Sequence, residues 1–194
     1  MQEALDRAAE APLPRTLIDI LRDTTEQHPD ASAVEDADGA LSYAELLAQV
    51  WRTAAVLREQ GVSHGDRVGI RMTSGRRDLY IAILGAMAAG AAYVPVDADD
   101  PQERADLVFR EARIVGMITD AGYRPTDTSD ARELFTSATP HPSTSAVPVV
   151  APPTVDDDAW IIFTSGSTGV PKGCLLYTSP SPRDRSVCGM PGCA

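Results

Sequence analysis

Short apolar strands alternate with helices between residues 67 and 119, and this alternation constrains the fold more than any other feature of the sequence. Strands are predicted at Arg67–Met72, Ala92–Val96 and Ile114–Thr119, with helices between them at Asp78–Ala89 and from Pro101 to near Arg113. A helical crossover returns the chain to the same end of a sheet, so strands joined in this way pair in parallel. The pattern predicts an α/β fold in which parallel or mixed sheets are flanked by helices.

The residues before this region predict two further helices and a pair of strands. Leu17–His28 has the apolar spacing of an amphipathic helix, and strand, turn and strand follow over residues 33–42. A second amphipathic helix is predicted after Ser42, with apolar residues on one face and its end at Gly61. These elements extend the helical cover of the predicted sheet.

Two capping-box patterns mark helix starts. Ser42 and Glu45 have the required spacing of three residues, and so do Asp100 and Glu103. Pro101 would then occupy the first helical position, where its missing N–H costs nothing. The sequence therefore predicts side-chain caps on both of these helices.

Composition and charge exclude several classes of function for this 194-residue chain. Its formal net charge is −11, so a surface for nucleic acid or anionic lipid is not expected. No apolar run approaches the roughly 18 residues of a transmembrane helix. The N-terminal residues lack the basic and apolar regions of a signal peptide. We therefore expect a cytoplasmic protein with no nucleic-acid partner and no membrane contact in this segment.

A polar segment and then a short apolar strand follow residue 122. Tyr123–Asp157 is rich in Pro, Ser, Thr and Asp, which predicts a variable loop. Trp160–Phe163 is wholly apolar, as is typical of a strand buried inside a parallel sheet. A long loop is thus predicted to lead to one more buried strand.

The loop after this strand has the composition of a phosphate-binding site. It reads Thr164-Ser165-Gly166-Ser167-Thr168-Gly169-Val170-Pro171-Lys172-Gly173. Glycines let backbone N–H groups approach a ligand, hydroxyls add donors and the lysine adds charge. A flexible Gly/Ser linker has a similar composition, but the buried strand and the single lysine favour a phosphate site. A Walker A loop is not indicated, because Pro171 precedes Lys172 and Gly173 follows it.

Three stretches resemble the adenylate-forming, AMP-binding superfamily of enzymes. Residues 164–173 are similar to its phosphate-loop signature, and residues 41–46 and 88–97 are similar to the first two motifs of peptide-synthetase adenylation domains. The resemblance extends from Arg15 to Gly173. The stretch Ala-Tyr-Val-Pro within residues 88–97 is more similar to amino-acid-activating domains of non-ribosomal peptide synthetases than to fatty-acyl or aryl-CoA ligases.

The resemblance implies the N-terminal part of the large adenylate-forming domain, truncated after its phosphate loop. Such enzymes join a substrate carboxylate, here that of an amino acid, to the α-phosphate of ATP while Mg²⁺ bridges phosphate oxygens. The residues expected to hold the ATP phosphates are Thr164, Ser165, Gly166, Ser167, Thr168, Gly169 and Lys172. A peptidyl carrier domain would then receive the acyl group on its phosphopantetheine thiol. Catalytic residues are expected downstream of Gly173, so this chain alone is expected to be inactive.

Two other assignments remain open at this point. A fragment of an acyl-CoA synthetase would differ in the downstream pocket, where an aspartate for the substrate ammonium marks amino-acid activation. An inactive nucleotide-binding remnant would lack the lysine of the C-terminal domain. No metal site is predicted within the chain.

Several residues outside the loop have structural interpretations. Tyr93 and Pro95 are expected to pack in the sheet, and Trp160 to pack against the strand or to help hold the loop. The three histidines, His28, His64 and His141, occur in turn-like sequence and are expected to be solvated. Lys172 is the residue that we expect to contact phosphate.

The composition changes at residue 174, where the resemblance ends. All three cysteines (Cys174, Cys188 and Cys193) lie in this last segment. The run from Cys174 to Asp184 matches the in-frame translation of a common transposase-based sequencing adapter, and Met190, Pro191 and Ala194 match its continuation. We therefore interpret residues 174–194 as a non-native tail, 15–173 as a partial adenylation domain and 1–14 as a flexible N-terminus. In such a chain the strand near Ala159–Phe163 is expected to have an unpaired edge.

Overall fold

A computed structural model of the protein describes residues 14–126, 152–165 and 171–177, of which residues 164, 165 and 171–177 are described by their backbone alone. All but the last residue of the predicted flexible N-terminus lies outside the described residues. Residues 127–151 of the predicted variable loop and residues 178–194 of the predicted tail lie outside them as well.

Helix α1 spans Leu17–Gln27, close to its predicted bounds. It begins with a capping box that the sequence analysis did not identify. The Asp19 amide donates to Thr16 Oγ1 at 3.1 Å, and the Thr16 amide donates to Asp19 Oδ2 at 3.0 Å. The helix buries Ile18 and Leu21 and presents the other apolar residues of its first turn to solvent.

Strands β1 (Ser32–Asp36) and β2 (Gly39–Ser42) form an antiparallel hairpin that leads into helix α2 (Tyr43–Glu59). The capping box predicted at Ser42 and Glu45 is confirmed. The Ser42 amide donates to Glu45 Oε2 at 2.8 Å, and the Glu45 amide donates to Ser42 Oγ at 3.3 Å. These contacts satisfy amide groups that the first turn of a helix leaves free.

The remaining strands form a mixed six-stranded sheet, as the sequence predicts. Its members are β3 (Arg67–Arg71), β4 (Ala92–Pro95), β5 (Gly116–Thr119), β6 (Gly122–Pro125), β7 (Asp158–Ser165) and β8 (Pro171–Tyr177). Their order is β6-β5-β3-β4-β7-β8. The four central strands run parallel, while β6 and β8 pair antiparallel with their neighbours. Helix α3 (Arg77–Ala88) connects β3 to β4, and helix α4 (Gln102–Ala112) connects β4 to β5.

Helices cover both faces of this sheet and enclose two apolar cores. Helices α1, α2 and α3 pack on one face, where Val50, Leu57, Ile81 and Ile70 are fully or almost fully buried. Helix α4 covers the other face through a second cluster that includes Val108, Phe109, Val94 and Ile161. Cover on both faces is what mostly parallel sheets require.

Strand β6 lies within the segment that was predicted as a loop, so that part of the prediction is wrong. Its Tyr123 side chain is 1% exposed and packs directly over Gly116 of β5. Burial raises the pKa of Tyr123 to about 12. The absent side chain at Gly116 makes room for the ring, and this tertiary fit is not visible in the local sequence.

The second predicted capping box is also wrong. Helix α4 has Pro101 at its N-cap and no side-chain cap. The Asp100 carboxylate instead accepts a hydrogen bond from Arg104 Nε at 3.1 Å. The Asp100 carboxylate, which was predicted to accept from the helix amides, thus binds the guanidinium of Arg104 one turn into the helix.

The expected unpaired edge at β7 is not present. β8 pairs with β7 along its length, from Asp158↔Tyr177 to Ser165↔Pro171. β8 includes Cys174–Tyr177, so the first residues of the predicted tail form part of the sheet.

Candidate functional site

The predicted phosphate loop connects two paired strands at the carboxyl edge of the sheet. β7 ends at Ser165 and β8 begins at Pro171, and these two residues are register partners. Thr164 and Lys172 form the next register pair, which places their Cα atoms about 4.5–5.5 Å apart. Gly166, Ser167, Thr168 and Gly169 lie outside the described residues. The structure thus brings the two ends of the predicted site together.

The register also separates Lys172 from the nearest acidic residue that precedes it in the sequence, Asp158. Asp158 pairs with Tyr177 at the far end of the hairpin. Six residues along an extended strand correspond to roughly 20 Å. The Lys172 backbone therefore lies at the opposite end of β7 from the Asp158 carboxylate.

β7 joins the parallel sheet beside β4. Ile161 is fully buried and Ala159 is 8% exposed. The register between the two strands is set at Tyr93↔Trp160, whose ring centroids lie 5.7 Å apart at an angle of 49°. Burial raises the pKa of Tyr93 to about 12, so its phenol stays neutral at physiological pH. Tyr93 thus packs in the sheet as predicted, and Trp160 packs against it.

The order of the strands reverses between β3 and β4. β3 is followed by helix α3 on one face of the sheet, and β4 is followed by helix α4 on the other face. α/β proteins commonly bind ligands outside such a point. Here Arg71 extends across it from the end of β3. Its Nη2 donates to the Asp100 carbonyl at 2.6 Å and to the Ala98 carbonyl at 3.3 Å, and its Nη1 donates to Gln102. The loop between β7 and β8 is the alternative site at the same edge.

A second polar contact at this edge joins β3 to β5. Thr73 Oγ1 donates to Asp120 Oδ2 at 3.0 Å. Asp120 directly follows β5, and Thr73 is the second residue after β3. Arg71, Thr73 and Asp120 were not predicted from the sequence. Arg71 lies near the end of a predicted parallel strand, and Thr73 and Asp120 lie just after predicted strands. That position could have identified them, because those ends share one edge of the sheet.

The opposite, amino edge contains a histidine contact that the sequence did not predict, although His64 is exposed in a turn as expected. Its Nε2 lies 3.0 Å from Asp157 Oδ2. Burial alone would raise the pKa of Asp157, but the Thr154 amide and His64 outweigh it and hold that pKa below its usual value. His28 is exposed at the end of α1, and His141 lies outside the described residues.

A small apolar crevice lies beside the His64 contact, between Thr16, Met87 and Gly90, and is remote from the phosphate loop.

The described residues contain neither a cluster of metal ligands nor a membrane-spanning helix. Within residues 14–126 and 152–165 no group of three His, Cys, Asp or Glu side chains is placed to hold a metal ion. In the part of the chain that the structure describes, no helix has the length and apolar character needed to cross a bilayer.

The fold and the loop together define an α/β protein with a glycine- and hydroxyl-rich hairpin at the carboxyl edge of its sheet. The sequence profile of one family, described as AMP-binding enzyme, matches residues 21–180. The chain therefore belongs to the AMP-binding enzyme family.

Several curated relatives of the chain are named as synthases, among them those of tyrocidine, syringomycin, gramicidin S and surfactin. It is 38% identical over 175 residues to syringomycin synthase SyrB1 of Pseudomonas syringae pv. syringae, covering 86% of this chain and 27% of the relative. It is 32% identical over 178 residues to tyrocidine synthase 3 of Brevibacillus parabrevis, covering 88% of this chain and 3% of that protein. The chain therefore spans less than a third of the curated relatives it matches.

Solved structures give the same result at the level of the fold. The N-terminal subdomain of NpsA from Klebsiella oxytoca, in complex with 3-hydroxyanthranilyl-AMSN, matches with a TM-score of 0.70 and 31% identity, over 84% of this chain and 41% of that chain. NpsA-ThdA, an artificially fused adenylation-PCP di-domain from the same organism, matches with a TM-score of 0.69 and 28% identity, over 87% of this chain and 34% of that chain. The expected fold, part of an adenylation domain of non-ribosomal peptide synthesis, is confirmed.

Proposed function

We propose that the chain is part of an ATP-dependent enzyme that activates an amino acid as its aminoacyl-adenylate and releases pyrophosphate. The observation that carries the proposal is the hairpin of β7 and β8 in a member of the AMP-binding family. It places Thr164 opposite Lys172 at the carboxyl edge of a mostly parallel sheet. Relatives such as tyrocidine synthase 3 and syringomycin synthase SyrB1, and the likeness to the NpsA-ThdA di-domain of a non-ribosomal peptide synthetase, support an amino acid as the substrate.

The loop residues fit a triphosphate by their chemistry. Thr164, Ser165, Ser167 and Thr168 supply hydroxyl donors, and Gly166 and Gly169 allow backbone N–H groups to approach an oxyanion. Lys172 supplies a positive charge. We assign residues 164–169 and Lys172 to the β- and γ-phosphates, where they would offset the negative charge that accumulates during displacement at the α-phosphate.

The proposal includes Mg²⁺ and a carrier partner. Mg²⁺ supplies charge neutralisation between phosphate oxygens. The carrier is a peptidyl carrier domain with a phosphopantetheine thiol, in the same cytoplasmic protein or a partner. The likeness to the fused adenylation-PCP di-domain supports it.

A second candidate is activation of an aromatic acid. It is favoured by the likeness to NpsA, whose solved complexes include 3-hydroxyanthranilyl-AMSN and 3-hydroxybenzoyl-AMSN. A panel of amino acids and benzoates in an assay of acid-dependent exchange of pyrophosphate into ATP, made on the complete enzyme, separates the two. Exchange with an amino acid supports the first proposal, and exchange with benzoates alone supports the second.

The role of the loop is tested by Lys172→Ala in the complete enzyme. Losing one charge-assisted contact costs about 1.5–3 kcal/mol, which is about a ten- to 150-fold loss of rate if the contact forms mainly in the transition state. Lys172→Arg should not restore the full rate, because a planar fork does not replace a compact ammonium in a tight loop. An unchanged kcat/KM for ATP in Lys172→Ala, at an equal melting temperature, would show that this lysine does not bind phosphate.

We also propose that residues 15–173 form the native, partial adenylation domain and that residues 174–194 are not native. The match of residues 174–184 to an adapter translation supports the boundary. Independent long-read sequence of the locus should diverge from these codons after Gly173. Recovery of the same codons from unamplified genomic DNA would show that residues 174–194 are native.

A further inference from the structure

His64 contacts the turns that precede three parallel strands. It lies in the turn before β3, and its Nε2 is 3.0 Å from Asp157 Oδ2, directly before β7. Its ring also lies against Gly90, just before β4, because a Cβ placed on Gly90 would be 2.9 Å from His64 Cδ2. The Gly65 amide donates to the Gly90 carbonyl at 2.8 Å and holds the same two turns together. Residues far apart in sequence are thus joined at the amino edge of the sheet.

The hydrogen-bonded ladder between β4 and β7 is short, although β7 is also held by its pairing with β8 and by the burial of Ile161. In the described residues the ladder between β4 and β7 has one register pair, Tyr93↔Trp160. By contrast, β3 and β4 pair from Arg67↔Ala92 to Ile70↔Pro95. A contact at the start of β7 therefore contributes more to the position of β7 along the sheet than a similar contact would contribute to the position of β4.

The Asp157 end of this contact is itself fixed. Its Oδ2 accepts a hydrogen bond from the Thr154 amide at 2.7 Å, so the carboxylate is held at the turn into β7. From there β7 runs to Ser165 at the phosphate loop. The ladder between β7 and β8 has an irregularity between Asp158 and Trp160 and is continuous from Trp160 to Ser165. A shift at Asp157 that passes this irregularity therefore displaces Thr164 and Ser165 together.

We propose that His64 is a positioning residue for the phosphate loop. Through Asp157 it sets where β7 lies along the sheet, and therefore where Thr164 and Ser165 lie relative to the ATP phosphates. The inference rests on the proposed function of the loop. Because the His64 and Asp157 side chains are 46% and 21% exposed, their contact should contribute little to global stability.

The test uses the complete enzyme with His64→Ala, His64→Gln and a matched control, His28→Ala, which removes an exposed histidine that lies far from β7 in sequence. We expect His64→Ala to raise the KM for ATP by about two- to fivefold, the range of a partly exposed pair. The KM for the acid substrate and the melting temperature should stay unchanged. His64→Gln should restore most of the ATP affinity, because its amide can donate to Asp157. His28→Ala should behave as wild type.

The outcomes distinguish this inference from the proposed function. If Lys172→Ala is impaired but His64→Ala has the wild-type KM for ATP, the positioning role is wrong and the function of the loop stands. If His64→Ala lowers the melting temperature and impairs both substrates equally, its role is structural and the inference is overturned. Hydrogen exchange in the 194-residue chain gives a readout that does not need activity. Amides of residues 158–165 should exchange faster in His64→Ala than in His28→Ala, and equal rates would overturn the inference.

Discussion

At the scale of single residues, the ion pair of Asp36 and Arg77 couples the β1–β2 hairpin to the start of α3. The Asp36 carboxylate lies 2.7 Å from Arg77 Nη2, and it also accepts a hydrogen bond from the Arg77 amide at 3.0 Å. The amide and then the guanidinium of Arg77 lower the pKa of Asp36 from 3.8 to about 2. An acidic side chain in this position also stabilises the positive end of the helix dipole.

This pair predicts a pH-dependent difference in stability between the wild type and Asp36→Asn. A carboxyl group with a lowered pKa stabilises the fold fully above its unfolded pKa, and that contribution disappears as the pH falls through the folded value. The variant should therefore melt at a lower temperature than the wild type near pH 6. The difference should narrow as the pH falls from about 4 towards 2, the window between the two values. Thermal melts across this range provide the measurement.

Asp38→Asn is the matched control, because Asp38 forms an exposed pair with Arg76 at 3.2 Å. Exposed pairs contribute little, so its melting temperature should follow that of the wild type at every pH. A constant gap between wild type and Asp36→Asn over the whole pH range would contradict the account given for Asp36.

At the scale of elements, helices α2 and α3 approach closely where Gly85 faces Thr53. A Cβ placed on Gly85 would lie 2.5 Å from Thr53 Cγ2 and 2.7 Å from Thr53 Cβ. Thr53 is 2% exposed. Rotation of the Thr53 side chain can move Cγ2, but it cannot move Cβ, which is bonded to the backbone and is itself too close. The contact between the two helices therefore requires glycine at this position.

We predict that Gly85→Ala destabilises the protein. Alanine is the better helix former by about 1 kcal/mol, but overpacking a buried contact costs about 1–3 kcal/mol. Thr53→Ala in the same background should recover part of the loss by removing Cγ2. Urea unfolding of the two single variants and the double variant gives the coupling between them. An increase in stability from Gly85→Ala alone would mean that the helices separate without cost.

The elements also show what could be predicted from the sequence. The Ser42 cap was predicted because both partners lie three residues apart in one turn. The Asp100 cap was not formed, because Arg104 competes for the carboxylate and Arg71, from a distant strand, binds the carbonyl of the same residue. A local pattern identifies candidate partners, but it does not decide between two local partners that compete for one side chain, as Arg104 and the helix amides do for Asp100.

The residues of the candidate site and its surroundings also differ in whether the sequence alone could identify them. The loop of residues 164–173 was found from the sequence because its donors are contiguous. Tyr123 was assigned to a loop because its burial depends on the space at Gly116. His64 was expected to be solvated because its partner, Asp157, is 93 positions away. These contacts depend on which strands are neighbours, and the topology decides that.

At the scale of the whole molecule, the sheet has two edges that differ in their protection. β6 is only four residues long and ends at Pro125, which cannot donate to a further strand. The other edge is formed by β8, which pairs with all of β7 and lies against α4. An antiparallel ladder uses backbone groups of any sequence, so residues 174–177 can form it whatever their origin. Without β8 the eight-residue strand β7 would have a row of unpaired N–H and C=O groups.

We therefore predict that the position at which the chain is shortened decides whether it stays monomeric. A chain of residues 1–177 should remain monomeric and melt at the same temperature as residues 1–194, because it retains β8. A chain of residues 1–170 should aggregate, because an apolar strand of this length with a free edge is a template for pairing with other chains. Size-exclusion chromatography with light scattering, combined with thermal melts, distinguishes the three chains. If residues 1–170 are monomeric and as stable as residues 1–177, pairing by β8 does not protect β7, and the cover must come from α4 and the apolar core around Ile161.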